Sequence, residues 1–227
     1  MRINADFSQR AIVQASADQW VRSSESGVNR LMLDRIGDEV ARATSMVRYA
    51  AGSSFPRHQH AKGEEFLVLQ GVFSDESGDY ADGTYVRNPP GTGHSPFSTN
   101  GCTILVKLRQ FDAEDLQPCV IDTRDADKWV TASLIGGESR LLHEFRHEQV
   151  SMLRIAAAET VSIDVADGGL EWLLVSGAIG LENTIYTPMA WFRFPAGDSI
   201  QIQVVEDCTI WQKTGHLPVL SERTAFE

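Results

Sequence analysis

An all-β chain made of one unit written twice is what this sequence predicts, and three observations carry that expectation. Short runs rich in apolar and β-branched residues, Ser45 to Ala50, Phe66 to Leu69, Thr84 to Arg87 and Thr103 to Leu108, alternate with turn clusters. The clusters include Ala51-Gly52-Ser53-Ser54, Asp82-Gly83, Asn88-Pro89-Pro90-Gly91 and Thr99-Asn100-Gly101, the punctuation of a sandwich or barrel. No 12-residue segment keeps a 3.6-residue period without interruption, and only Asp112 to Leu116 suits a helical turn. Finally, Gly63 to Phe73, GEEFLVLQGVF, slides without a gap onto Gly169 to Ile179, GLEWLLVSGAI, at an offset of 106 residues.

The same offset carries Ser45-Met46 to Ser151-Met152, Arg48 to Arg154, Pro89 to Pro195, Gly91 to Gly197, Cys102-Thr103-Ile104 to Cys208-Thr209-Ile210 and Lys107 to Lys213. Trp20-Val21 falls on Trp129-Val130 at an offset of 109, which places a few extra residues between Leu33 and Ala43. Two domains follow, 1–116 and 117–227, joined near Gln117 and Pro118. Phe66-Leu67-Val68-Leu69 and Trp172-Leu173-Leu174-Val175 are apolar without alternation, so both faces of those strands are expected to be buried. A homodimer and burial of the two copies against each other explain those faces equally well.

The 227 residues carry 31 acidic and 20 basic side chains, a formal charge of -11, so a phosphate backbone would be repelled and direct nucleic-acid binding is not expected. With 42% hydrophobic residues the chain can build a core. No stretch approaches the ~20 apolar residues of a membrane span, and the first residues hold no apolar run of a secretory signal. Cys102, Cys119 and Cys208 form no CxxC pair, which fits a reducing cytoplasm rather than a disulfide framework. Cys102 and Cys208 share a repeat position and read as small core residues.

Chemistry concentrates in the first copy. Gly52, His58, His60, Glu64 and Gly71 read G-x5-H-x-H-x3-E-x6-G, and Gly83, Pro89, Gly91 and His94 read G-x5-P-x-G-x2-H. Residues two apart on a strand share a face, so His58 and His60 can point together into a barrel. Glu64 shares its face with Phe66 and Val68, while Glu65 turns the other way. Three neutral imidazoles and a carboxylate suit one divalent transition metal, and the same four ligands accept zinc, iron, nickel, manganese or copper. Under the 106 offset the four positions become Asp164, Ala166, Leu170 and Ile200, so every ligand is lost from the second copy while the framework persists.

These two motifs resemble those of the cupin superfamily, double-stranded β-helix barrels of the jelly-roll type, and the two copies together resemble a bicupin. The string from Gly63 to Cys102 is similar in particular to the cupin domain of ChrR-type anti-sigma factors. The resemblance implies zinc held by His58, His60, Glu64 and His94, and a regulatory role in transcriptional stress response with a protein partner or small ligand. The regulators of that family also carry an N-terminal helical domain, with a His and a CxxC holding a second zinc, that grips the sigma factor; no CxxC occurs here. The alternative is a non-haem iron cupin dioxygenase acting on a diketone or hydroxyketone. A zinc sensor requires a metal closed to exchangeable ligands, and a dioxygenase an open one.

Arg48, Tyr49, Tyr85, Arg87, Phe97, Lys107 and Arg109 are candidates for lining the first barrel and touching a ligand. Arg48, Arg87 and Lys107 recur as Arg154, Arg193 and Lys213, so a structural ion-pair role shared by both copies competes with substrate binding. Trp211 stands where the first copy has Leu105 and is expected to fill space a ligand would take. His143-Glu144-Phe145-Arg146-His147 spells H-E-x-x-H, a metalloprotease pattern that needs a helix. Here it falls in a strand region, and an exposed charged hairpin is expected instead.

Overall fold

The computed structural model describes residues 1–38, 40–132 and 135–218. The described residues are built almost wholly of antiparallel strands, with short 3-10 turns at Ala17–Gln19 and Ala126–Lys128. Among the described residues no helix is long and apolar enough to cross a membrane. The chain divides into two compact units, Met1–Ala5 with Ser16–Arg124, and Asp6–Ala15 with the residues from Asp125 onward.

In the first unit the strands run in the order Arg2–Ile3, Val28–Ile36, Arg42–Tyr49, Cys102–Leu108, Glu64–Asp75, Thr84–Asn88 and Cys119–Asp122. In the second the order is Val130–Ala132, Gly137–Phe145, Glu148–Ile155, Ser199–Thr214, Leu170–Leu181, Ala190–Phe194 and Ala11–Gln14. Both units are antiparallel β-barrels, and the repeat is visible in the pairing as well as in the letters. Cys119–Asp122 pairs with Thr84–Asn88, and Ala11–Gln14 occupies the corresponding edge on Ala190–Phe194. The boundary expected at 116/117 therefore falls just before a strand that pairs back into the first unit, and the early strand Ala11–Gln14 belongs with the second.

The inward faces form the cores. In the first unit Val47, Phe66, Val68, Phe73, Ile104 and Val106 cluster; in the second Trp172, Phe192, Phe194, Ile200 and Ile210 do the same. Each such side chain contributes about 1.5–3 kcal/mol on full burial. Trp211 and Leu105 both lie outside these clusters, so Trp211 does not plug the second barrel as expected. Strand parity turns it to the other face, and Trp172, at the Phe66 position, fills the interior instead. Cys102 and Cys208 are buried in their units.

A repeated polar cluster occupies the outward face. In the first unit Arg87 and Lys107 both stand opposite Glu65 across neighbouring strands. Glu65 accepts hydrogen bonds from Arg87 (2.8 Å) and the Tyr85 hydroxyl (2.6 Å), and Arg87 also reaches Asp115 (2.6 Å). The second unit places Glu171 between Arg193 and Lys213 in the same register, with the Trp191 indole donating to Glu171 at 2.7 Å.

His143-Glu144-Phe145-Arg146-His147 is no helix. Phe145 pairs with Glu148 across a two-residue turn, Arg146-His147, at the end of Gly137–Phe145. The hairpin is as expected, except that His143 is buried rather than exposed. Asp112 to Leu116 forms only a turn, in which the Asp115 N–H donates to the Asp112 carbonyl at 3.1 Å.

Candidate metal centre

Four short-range devices bring the sequence-predicted ligands together. His58–Gln59 pairs with Gly93–His94, which makes His58 and His94 direct cross-strand partners. The strands approach so closely at Gly93 that a Cβ there would lie 2.5 Å from the His58 carbonyl oxygen. His60 is anchored by its backbone, its N–H donating to Thr92 and its carbonyl accepting from Gly91. Gly63, at φ +76°, then turns the chain so that Glu64 opens the strand Glu64–Asp75 on the inward face.

The three imidazoles converge on the Glu64 carboxylate. Nε2 of His58, His60 and His94 lies 3.9, 3.3 and 3.6 Å from its oxygens, and one donor atom from each of the four residues lies within 4.8 Å of the others. The opposite ring nitrogens establish the tautomers. Nδ1 of His58 meets the Pro56 carbonyl at 3.0 Å, and Nδ1 of His94 meets Asp75 Oδ2 at 3.0 Å. Nδ1 of His60 meets Thr92 Oγ1 at 3.2 Å, and that hydroxyl already donates to the Pro89 carbonyl. All three partners therefore accept. Each ring carries its proton on Nδ1 and turns the Nε2 lone pair inward, the usual outer support of a metal-bound histidine.

The electrostatics agree. Burial opposes charge on Glu64, but the three surrounding imidazoles, His58 nearest in effect, outweigh it whenever they take up a proton and hold the carboxyl below its ordinary value. The neighbouring Glu64 carboxylate raises His58, whereas burial lowers His60. Nε2 of His60 is buried without a hydrogen-bond partner, an orphaned lone pair that a bound cation would satisfy. The donor set fits a divalent transition metal held by His58, His60, Glu64 and His94.

The second unit lacks this set, and its register differs from the offset-based expectation by one residue. Ile163 stands opposite Ile200, as His58 stands opposite His94. The Val165 N–H donates to Asp198, as His60 donates to Thr92. One extra residue before Gly169 causes the shift. Thus Ile163 and Val165, rather than Asp164 and Ala166, replace His58 and His60, and with Leu170 and Ile200 they make an apolar quartet in the core.

A cavity of about 310 Å³ opens onto the ligand face of the first unit, within the range of small-molecule sites. Tyr49 and Arg109 border it, as expected, together with Arg30 and Arg35, which sequence reasoning missed. Arg30 lies two residues from Val28 on one strand, so parity could have placed it inward; Arg35 could not be placed, because a bulge between Met32 and Asp34 resets the parity.

Five expected ligand contacts do not border the cavity. Arg48 is exposed and stacks on Trp20 at 4.0 Å, a pairing repeated by Arg154 on Trp129 at 3.8 Å. Phe97 is exposed. Tyr85, Arg87 and Lys107 belong to the buried outward cluster, because their strand parity is that of Glu65 rather than Glu64.

Comparison with known proteins agrees with this fold. The family model described as the ChrR cupin-like domain matches residues 8–112. No curated protein sequence matches the chain. Among solved structures, a "putative dioxygenase" of Nostoc punctiforme is similar over 97% of this chain and 84% of its own, with a TM-score of 0.71 and 13% identity. The bacterial pirin YhhW of Escherichia coli, in complex with nickel(II), is similar over 92% of this chain and 100% of its own, with a TM-score of 0.65 and 15% identity. Oxalate decarboxylase of Bacillus subtilis, studied for its Mn(II) centres, gives 92% and 78% coverage, a TM-score of 0.61 and 10% identity. At these identities the likeness establishes the cupin fold.

Proposed function

We propose that the first unit is a mononuclear metal centre acting on a small organic substrate, of the cupin dioxygenase kind, and that the second is a metal-free barrel that completes the fold. The observation that carries this reading is the cavity that opens onto the converging Nε2 atoms. A centre that serves only to stabilise or sense would have its metal enclosed by protein; here the His58 side chain keeps 34% of its surface. A bound divalent metal would supply Lewis acidity and, as iron, reactivity toward oxygen. The chain's own groups would do the rest. Pro56, Thr92 and Asp75 hold the rings in register, and apolar walls exclude water from the ligand. The nickel-bound and manganese-containing relatives support a divalent metal without choosing which.

A zinc-dependent regulatory protein of the ChrR type is the second reading, favoured by the family match over residues 8–112. Elemental analysis of protein purified without added metal, beside His58→Ala, separates the two. About one iron per chain, lost in the variant, with oxygen uptake on a diketone or hydroxyketone, is the expected result. About one zinc and no oxygen uptake would favour the regulator. Absence of metal from both samples after reconstitution would sink both.

A further inference from the structure

The cavity's charge is at odds with the molecule's. The chain has a net charge of -11, yet three guanidinium groups, Arg30, Arg35 and Arg109, border this one space, and Glu64 is the only carboxylate among its described lining residues. Glu64 is already committed to the three histidines. Arg30 has no hydrogen bond or ion pair among the described residues; its guanidinium lies over the Phe55 ring at 5.6 Å. Arg109 is held by its backbone, at φ +60° with its N–H on the Gly63 carbonyl at 3.0 Å, and its guanidinium is likewise unpartnered among the described residues. Among the described residues Arg35 bonds only to the carbonyl oxygens of Gly37 and Asp38. The Tyr49 hydroxyl also lacks a described partner.

Elsewhere in the same unit buried arginines are paired, as Arg87 is with Glu65 and Asp115 and Arg42 with Asp34. Burial and the charge of Arg30 together depress Arg35, which is the cost of placing like charges beside one another. Unpaired guanidinium groups against apolar walls attract a carboxylate strongly, because the local dielectric is low and the fork geometry is matched.

We propose that the cavity takes a small organic anion, a carboxylate whose keto or hydroxy oxygens reach the metal side while its carboxylate pairs with Arg30 and Arg109. This rests on the open metal centre proposed above and narrows its substrate class from neutral diketones to oxo- or hydroxy-carboxylates. Tyr49, as a hydroxyl donor, would bond an oxygen of the same ligand.

The test compares two chelators that differ at one end. The full chain, loaded with nickel(II) so that no turnover intervenes, is titrated calorimetrically with 4,6-dioxoheptanoate and with heptane-2,4-dione. The anion is expected to bind about tenfold tighter, the worth of one charge-assisted contact, with the preference shrinking as salt is added. Arg30→Met and Arg109→Met should each erase most of that preference, while Arg48→Met, outside the cavity, keeps it. Nickel content checks that each variant is folded, and the wild-type comparison stands without them. Equal affinities for the two chelators, or a preference that survives both cavity variants, would overturn the anion inference and leave the open centre standing. Failure of the nickel-loaded chain to bind either chelator would overturn both.

Discussion

Glu64 and Glu65 are consecutive in one strand, and their carboxylates serve opposite faces of it. Glu64 faces the Nε2 atoms of His58, His60 and His94, and Glu65 faces Arg87 and Tyr85. Both are almost fully buried. Alternation along the strand thus separates a site for a cation from a permanent ion pair by one peptide unit.

That separation makes the two substitutions distinguishable. Glu65→Ala leaves Arg87 and Lys107 buried beside a missing carboxylate and is expected to cost about 3–5 kcal/mol of stability, with metal content unchanged. Glu64→Ala should abolish metal binding. Denaturant unfolding and elemental analysis on both variants check this; a Glu65→Ala penalty under about 1 kcal/mol would mean the outward cluster is not a structural unit.

Close backbone approach makes a second prediction. Gly71 sits at φ +77°, and a Cβ there would lie 2.2 Å from the Gly101 carbonyl oxygen, whereas Gly52, at φ +74°, has open space around it. Gly52→Ala should cost only left-handed strain, about 1–2 kcal/mol, and Gly71→Ala clearly more. Equal losses in thermal unfolding would show that the clash is relieved by backbone movement.

Acid stability should depend on Glu76. The Ser95 N–H, donating at 2.9 Å, and the Arg57 guanidinium hold its carboxyl down to about 2 from 4.5. A depressed carboxyl contributes stability that is complete above its unfolded value and lost as pH falls through the folded one. The wild type should therefore lose stability relative to Glu76→Gln between about pH 4.5 and 2, and parallel curves across that window would refute the linkage.

Much of the site was legible because its ligands sit close in sequence. The H-x-H-x3-E spacing uses one tight turn at Gly63 to gather three ligands, and parity alone separates Glu64 from Glu65. His94 needed the second motif, and its pairing with His58 is a local two-residue ladder. The expectation that Tyr85, Arg87 and Lys107 line the barrel fails because they share the face of Glu65; the repeat of Arg87 and Lys107 as Arg193 and Lys213 is the better guide, since a position kept where the metal ligands are lost serves the fold.

The sequence by itself determined the duplicated all-β architecture, the four candidate ligands and their absence from the second copy, because strand periodicity and hairpin spacing act over a few residues. Only the tertiary structure decided that Ala11–Gln14 and Cys119–Asp122 each complete an edge, that Ile163 rather than Asp164 answers to His58, and that Arg30, Arg35 and Arg109 share one cavity. Those outcomes depend on bulges, a one-residue insertion and barrel closure, which bring together residues tens of positions apart through packing that no local pattern encodes.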